Sequence, residues 1–258
     1  MEPLSGTRLL RPLSITPSVE VWSARLGRRA LIVRRYPPAR PGAPWPAPPD
    51  PAVLAAVNHP ALARFLGQWR DEGDAVLHAF RHVPGRTLFE ALQDGPLPAA
   101  RWTDAMADAS RGLRWLHARS AASPRLHGDV SPRNLLLARE GSARWLDVRA
   151  DPPGVAPVPG GVILGTLPFL APEVLQGDPP GTASEVFSLG LLGLVAAGIP
   201  LPWRNARDPA GVLDAFRRTS PASLATPLPA PAARLLAAML APAASDRPSA
   251  TDVAARLR

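Results

Sequence analysis

The chain has 258 residues, a formal net charge of +8, 46% hydrophobic content and no cysteine. That length and apolar content suffice for a large buried core in one domain or two small lobes, and the missing cysteines exclude a disulfide framework and a Cys-ligated metal site. Every basic residue is an arginine, and pairs such as Arg28/Arg29, Arg34/Arg35 and Arg217/Arg218 are scattered rather than gathered with aromatics, which argues against nucleic-acid binding.

In chain order, "VEVWSARLGRRALIVRRY" (19–36) reads as two strands around a Gly-Arg turn, the second with the β-branched content of a buried strand. A proline-rich loop follows over 37–51. "PPDPAVLAAVNHP" then reads as a short helix with Asp50 as N-cap and Pro51 at its first position. "ARFLGQW" and "DAVLHAFRH" are two more expected strands joined by the charged turn "RDEG". From about residue 86 the spacing becomes helical, in "RTLFEALQ", "AARWTDAMADASRGLRWLHARS", "ASEVFSLGLLGLVAAG", "AGVLDAFRR" and "PAARLLAAML". A strand-rich first third thus precedes a helix-rich remainder, with the boundary near 83–86. The proline clusters at 152–159 and 221–231 read as loops. The apolar run over 186–200 is too short to span a bilayer and is expected as a buried core helix; the N-terminus lacks the apolar segment of a signal peptide. A cytoplasmic chain without a membrane span is the expectation.

The stretch "RLHGDVSPRNLLL" (125–137) carries the chemistry. Asp129 and Asn134 stand five apart before a run of leucines. Such an Asp can orient or deprotonate a hydroxyl nucleophile, and the Asn can hold a metal ion against phosphate oxygens. Asp147, at the end of the apolar segment "ARWLDVR", offers a second metal position. The alternative is that Asp129 and Asn134 only satisfy loop backbone groups.

These residues resemble the protein-kinase superfamily. The pattern H-R-D-x-x-x-x-N is matched by His127, Asp129 and Asn134, with Gly128 in place of the Arg. "DVR" at 147–149 resembles D-F-G, with Arg149 in place of the glycine. "GTLPFLAPE" (165–173) resembles G-T-x-x-Y-x-A-P-E, "SEVFSLG" (184–190) resembles the D-V-W-S-L-G helix with Glu185 near its start, and "DRPSA" (246–250) resembles the R-P-S segment. The resemblance implies a two-lobed α+β fold, with a small strand-rich lobe over about 8–83 and a larger helical lobe over about 86–258. It implies ATP with Mg2+ or Mn2+ as cofactors and a protein substrate or regulated protein partner. Asp129 takes the role of catalytic base, Asn134 and Asp147 those of metal ligands, and Thr166 that of a partner to Asp129, as in the Ser/Thr branch. Glu173 and Arg247 resemble the buried ion pair that braces the helical lobe. The spelling "HGD" also resembles small-molecule kinases of the aminoglycoside and choline phosphotransferase type, but those lack the A-P-E and R-P-S segments.

Departures concentrate in the first lobe. Ser14, Thr16 and Val19 fall on the three glycines of the phosphate-covering loop, where glycine lets backbone N–H groups approach phosphates, and Pro17 removes a donor. Arg34 falls on the family's lysine and becomes the expected phosphate clamp; the lysine's Glu partner aligns with Asp50. An Arg34–Asp50 ion pair and a bare N-cap role for Asp50 both remain open. The implied function is Mg-ATP-dependent Ser/Thr phosphoryl transfer with weak catalysis, or a pseudokinase acting as a binding module, or, third, a small-molecule phosphotransferase. Thr166 is the single hydroxyl residue of 148–171, and Pro152, Pro153, Pro157 and Pro159 restrict that segment, so regulation without activation-loop phosphorylation is expected.

Overall fold

The computed structural model describes residues 4, 6–38, 48–118, 124–150 and 165–257. The proline cluster at 152–159 and most of the loop over 37–51 lie outside them. A five-stranded antiparallel sheet comes first: β1 (Arg8–Ile15), β2 (Glu20–Leu26), β3 (Arg29–Tyr36), β4 (Phe65–Arg70) and β5 (Val76–Arg81), in the order β1-β2-β3-β5-β4. Strand alternation sorts the residues of β3. Leu31 and Val33 join Ala24, Ala75 and Leu77 on one face. Ile32 packs on the other face with Leu54, Phe65 and Phe80. Arg34 and Tyr36 share that second face, and Arg34 stands opposite His78 in the register. β1 has no counterpart in the sequence reading: it contains Pro12, bulges twice against β2 and is exposed along nearly its whole length, so it has no apolar alternation to detect.

The helix α1 spans only Pro51–Ala55. Its start is set by proline chemistry. A residue before proline is pushed out of the α region, and Asp50, before Pro51, sits at φ −61°, ψ 121°. Asp50 therefore stands outside the helix as its cap, with its carboxylate accepting from the Ala52 N–H at 2.7 Å. Leu54 anchors the helix against Phe65 and Phe80.

The remainder is helical: α2 (Leu88–Ala91), α3 (Ala99–His117), α4 (Pro172–Leu175), α5 (Thr182–Ala196), α6 (Pro209–Arg218), α7 (Ala230–Met239) and α8 (Ala250–Arg256), with a small sheet of β6 (Gly85–Thr87), β7 (Leu135–Ala138) and β8 (Ala143–Trp145). The second proline cluster is not all loop: Pro221–Ala225 forms a 3-10 turn, and Pro231 lies in the first turn of α7, where a missing N–H is tolerated. α5 is buried on almost every side, as its largely apolar sequence requires. A Cβ at Gly193 would meet Leu236 and Met106 side chains at 2.8 and 2.9 Å, so glycine there lets α3 and α7 close on α5. The Trp102 indole donates to Gly193 O at 2.8 Å across the same contact.

Two backbone bonds join the five-stranded sheet region to β8, Ala63 N–H to Trp145 O (2.8 Å) and Trp145 N–H to Ala61 O (2.9 Å). They hold the residues after Trp145, Asp147 among them, beneath β3.

Candidate active site

Residues 126–134 form the loop between α3 and β7, and buried groups fix it from below. His127 is fully buried, its Nδ1 accepting from the Asp129 N–H (3.2 Å), which leaves Nε2 to donate to Leu146 O (2.8 Å). Burial pushes its pKa down, against the pull of Glu185 and Asp129, so the ring is neutral. Glu185, at the buried start of α5, accepts from the Gly128 N–H (2.8 Å) and bonds His117 Nε2 (2.8 Å). Burial alone would raise its pKa; the His117 bond and charge, with His127 and the Gly128 N–H, outweigh burial and hold it low. His117 escaped the sequence reading. It ends α3, where a basic side chain also faces the helix dipole favourably, and only the packing of α3 on α5 reveals its partner.

On this base Asp129 is held by three donors. Its Oδ1 accepts from the Thr166 N–H (3.0 Å) and Thr166 Oγ1 (2.9 Å), and its Oδ2 from Asn134 Nδ2 (2.7 Å). Asn134 Nδ2 also reaches Asp129 O at 2.9 Å. The structure thus brings Asp129, Asn134 and Thr166 into one hydrogen-bonded group with a defined carboxylate orientation. Ser131 is buried beside them, and its hydroxyl finds no protein partner.

Asp147 follows β8 in the left-handed region (φ 54°), and its carboxylate forms an ion pair with Arg34. The Arg34 side chain is 12% exposed, and burial works against its charge. Its Nε is buried without a partner. The Arg34–Asp50 pair left open by the sequence is not formed. Pro51 keeps Asp50 at the exposed mouth of α1, and Arg34 turns to Asp147 instead.

The β1–β2 turn stands where the phosphate-covering loop is expected, and it spends its donors on itself. Thr16 N–H bonds Val19 O (3.0 Å), Val19 N–H bonds Thr16 Oγ1 (3.1 Å), Thr16 Oγ1 donates back to Val19 O (2.9 Å), and Pro17 has no N–H. Ser18 alone keeps a backbone donor for another partner.

Away from the cleft, Arg247 is fully satisfied. It reaches both Glu173 oxygens (2.6 and 2.9 Å) and the carbonyls of Ala183, Ala241 and Pro242. Ser184 Oγ donates to Glu173 Oε1 at 2.7 Å. Burial raises the Glu173 pKa, but these bonds outweigh it and keep the group ionised.

A small antiparallel sheet stands above a helical body. Between them are an Asp and an Asn on one loop and a second Asp after the next hairpin strand; together these define a kinase-type fold. The family model for the protein kinase domain matches residues 50–256, and the chain belongs to that family. Similar proteins include the serine/threonine-protein kinase pkn2 of Myxococcus xanthus, 30% identical over 198 residues covering 72% of this chain and 23% of that protein. PknA of Mycobacterium tuberculosis is 29% identical, over 78% of this chain and 48% of its own length. PknB of Mycobacterium leprae is 29% identical over 53% of this chain and 22% of its own. The chain thus spans less than half the length of each of these relatives. Residues 8–36, which form β1, β2 and β3, fall outside the family match.

Proposed function

We propose that this domain transfers the terminal phosphoryl group of ATP to Ser or Thr hydroxyls of proteins, at a low rate. The hydrogen-bonded group of Asp129, Asn134 and Thr166 carries the proposal: the carboxylate is oriented by three donors, and orientation is what a base acting on a hydroxyl nucleophile needs. The residues also fit a divalent ion. Asn134 donates through its nitrogen, which leaves its amide oxygen to accept, and Asp147 brings a carboxylate that pairs with Arg34. An amide and a carboxylate oxygen are hard donors suited to Mg2+ or Mn2+, which would neutralise phosphate charge at that position. Arg34 would hold phosphate from the sheet side, and the slow rate follows from the self-bonded β1–β2 turn above it. The printed names of the relatives, all serine/threonine-protein kinases, support the choice of acceptor.

The same turn and the Arg34–Asp147 pair favour a second reading, a pseudokinase that binds a protein partner without phosphoryl transfer. Incubation with radiolabelled ATP and a generic protein substrate separates the two. The expected result is slow labelling that falls about a hundredfold or more in Asp129→Asn. No labelling above background, or equal labelling in the variant, would leave the binding module.

A further inference from the structure

We infer that Arg133, held over the ring of Phe89 beside the loop that carries Asp129, selects protein substrates with a carboxylate side chain close to the acceptor hydroxyl. This deepens the protein phosphoryl transfer proposed above and rests on it for the place of the acceptor.

The loop from Asp129 to Asn134 turns most of its side chains inward. Val130, Ser131 and Pro132 are buried, Asp129 and Asn134 are half-buried, and Arg133 alone is exposed. Two backbone bonds fix where it emerges. The Phe89 N–H donates to Pro132 O at 2.9 Å, and the Asn134 N–H donates to Ser131 O at 3.0 Å. Asn134 in turn bonds Asp129 through its side chain. Arg133 therefore adjoins a residue that is tied directly to the proposed base. A peptide that sets its hydroxyl against Asp129 passes Arg133 within about three residues, each extended residue advancing about 3.4 Å.

Phe89 fixes the side chain as well as the loop. The Arg133 Cζ lies 3.7 Å from the centroid of the Phe89 ring. Phe89 is 37% exposed, and among the described residues of the helical body it is the only large apolar side chain left so open. A guanidinium stacked by its face keeps its edge, with N–H donors in one plane, for an anion, and a carboxylate fits that fork with two bonds. No carboxylate of the described residues pairs with Arg133. The acidic side chains in α2 and just after it are committed elsewhere. Glu90 accepts from the Thr87 N–H (2.8 Å) and Thr87 Oγ1 (3.0 Å), and Asp94 pairs with Arg86. Because the ring already restricts the arginine, a substrate need not order it on binding.

Fluorescence anisotropy with labelled peptides tests the assignment and does not depend on transfer. Each peptide carries a single Ser in an Ala-Gly background and one Glu, placed in turn at each of about three positions before and after the Ser; matched peptides carry Gln or Arg instead. With Mg2+ and a non-hydrolysable ATP analogue present, one Glu position should bind the full chain about tenfold tighter than its Gln match. That ratio should fall to about one in Arg133→Gln and part way in Phe89→Ala, and in Arg133→Glu the Arg peptide should bind tighter than the Glu peptide. Arg28→Gln, which removes the same charge at the β2–β3 turn, should keep the wild-type ratio and so separates a contact from the pull of the net charge. Thermal midpoints check the folding of each variant. A ratio unchanged in Arg133→Gln, an equal gain from Glu at every position, or wild-type protein that binds Glu and Gln peptides alike or neither, overturns the role of Arg133. Absence of transfer in the labelling assay, with the Glu preference and its loss in Arg133→Gln both intact, overturns the transfer reading instead and leaves a binding module with an acidic-peptide site.

Discussion

Two arginines with largely buried side chains, one in each part of the molecule, divide brace from site. Arg247, in the helical body, has five N–H donors and five acceptors: two carboxylate oxygens of Glu173 and three backbone carbonyls. Arg34, on the five-stranded sheet, has one carboxylate partner and a buried Nε with none. A fully satisfied buried charge holds a structure in one arrangement. A partly satisfied one, facing a cleft, keeps donor capacity for a ligand. The difference follows the chain: the residues that retain the family patterns sit in the helical body, and β1, β2 and β3 fall outside the family match.

Breaking the brace should have the largest effect. Arg247→Ala leaves Glu173 with only Ser184 as a side-chain partner, and truncating one member of a buried pair costs about 3–5 kcal/mol. The expected fall in thermal midpoint is about 10 °C or more. An unchanged midpoint in a melting curve would dismiss the brace.

Much of the helical body was legible from sequence because its signals are local. α3, α5, α6 and α7 have helical spacing, and Asp129, Asn134 and Thr166 stand in short fixed patterns. The sheet region was less so. β1 carries no alternation because neither of its faces is well buried. The partner of Arg34 depended on one proline: Pro51 places Asp50 outside α1, and what remains within reach is Asp147, more than a hundred residues along the chain. The close approach of the Arg149 stem to Gly128 was also hidden, since it accompanies the backbone bond between His127 and Arg149 that folding creates. Nothing in the strand pattern "DAVLHAFRH" singles out His78; only the register sets it against Arg34.

His78 provides the second test, on the sheet side of the comparison. It is fully buried, neither ring nitrogen has a partner, and Tyr36 and Phe65 meet it edge-on. Burial, and then the charge of Arg34, lower its pKa from 6.5 to about 4. The unfolded chain therefore takes up this proton first. The neutral ring's contribution is complete well above pH 6.5 and drains away as pH falls from 6.5 towards 4. At pH 5 the loss is about 2 kcal/mol relative to pH 8. Urea denaturation at the two pH values should show a drop that is smaller by about this amount in His78→Leu. His127, also lowered by burial, keeps part of the slope in the variant. Equal slopes in variant and wild type would place His78 in contact with solvent or a proton acceptor.

A smaller effect is expected from ligand. If Asn134 and Asp147 hold a divalent ion and Arg34 holds phosphate, ATP should stabilise the fold with Mg2+ or Mn2+, and less so with EDTA. At a ligand concentration ten times the dissociation constant the gain is about 1.4 kcal/mol, a shift of a few degrees in a thermal-shift titration. Equal shifts with EDTA would remove Asn134 and Asp147 as ligands and leave Arg34 as the phosphate contact.

The smallest expected effect is none at all, and it concerns regulation. A phosphorylated activation loop needs a hydroxyl to carry phosphate and a free basic group to receive it. Thr166 is the only hydroxyl residue of 148–171, and its Oγ1 is engaged by Asp129 at 2.9 Å. A phosphate there would put negative charge against the carboxylate that the threonine orients, which disfavours the active arrangement. The arginine that precedes the catalytic Asp in the family pattern is Gly128 here. The side chain that occupies its space is the stem of Arg149, whose backbone N–H donates to His127 O at 2.9 Å. Prolines 152, 153, 157 and 159, from which a segment restricted without modification was expected, lie outside the described residues. Phosphatase treatment of the purified protein, followed by the labelling assay, should leave transfer unchanged. A large fall in activity, with phosphate mapped by mass spectrometry to Thr166 in the untreated protein, would mean that the threonine is a switch and that its bond to Asp129 belongs to the resting state.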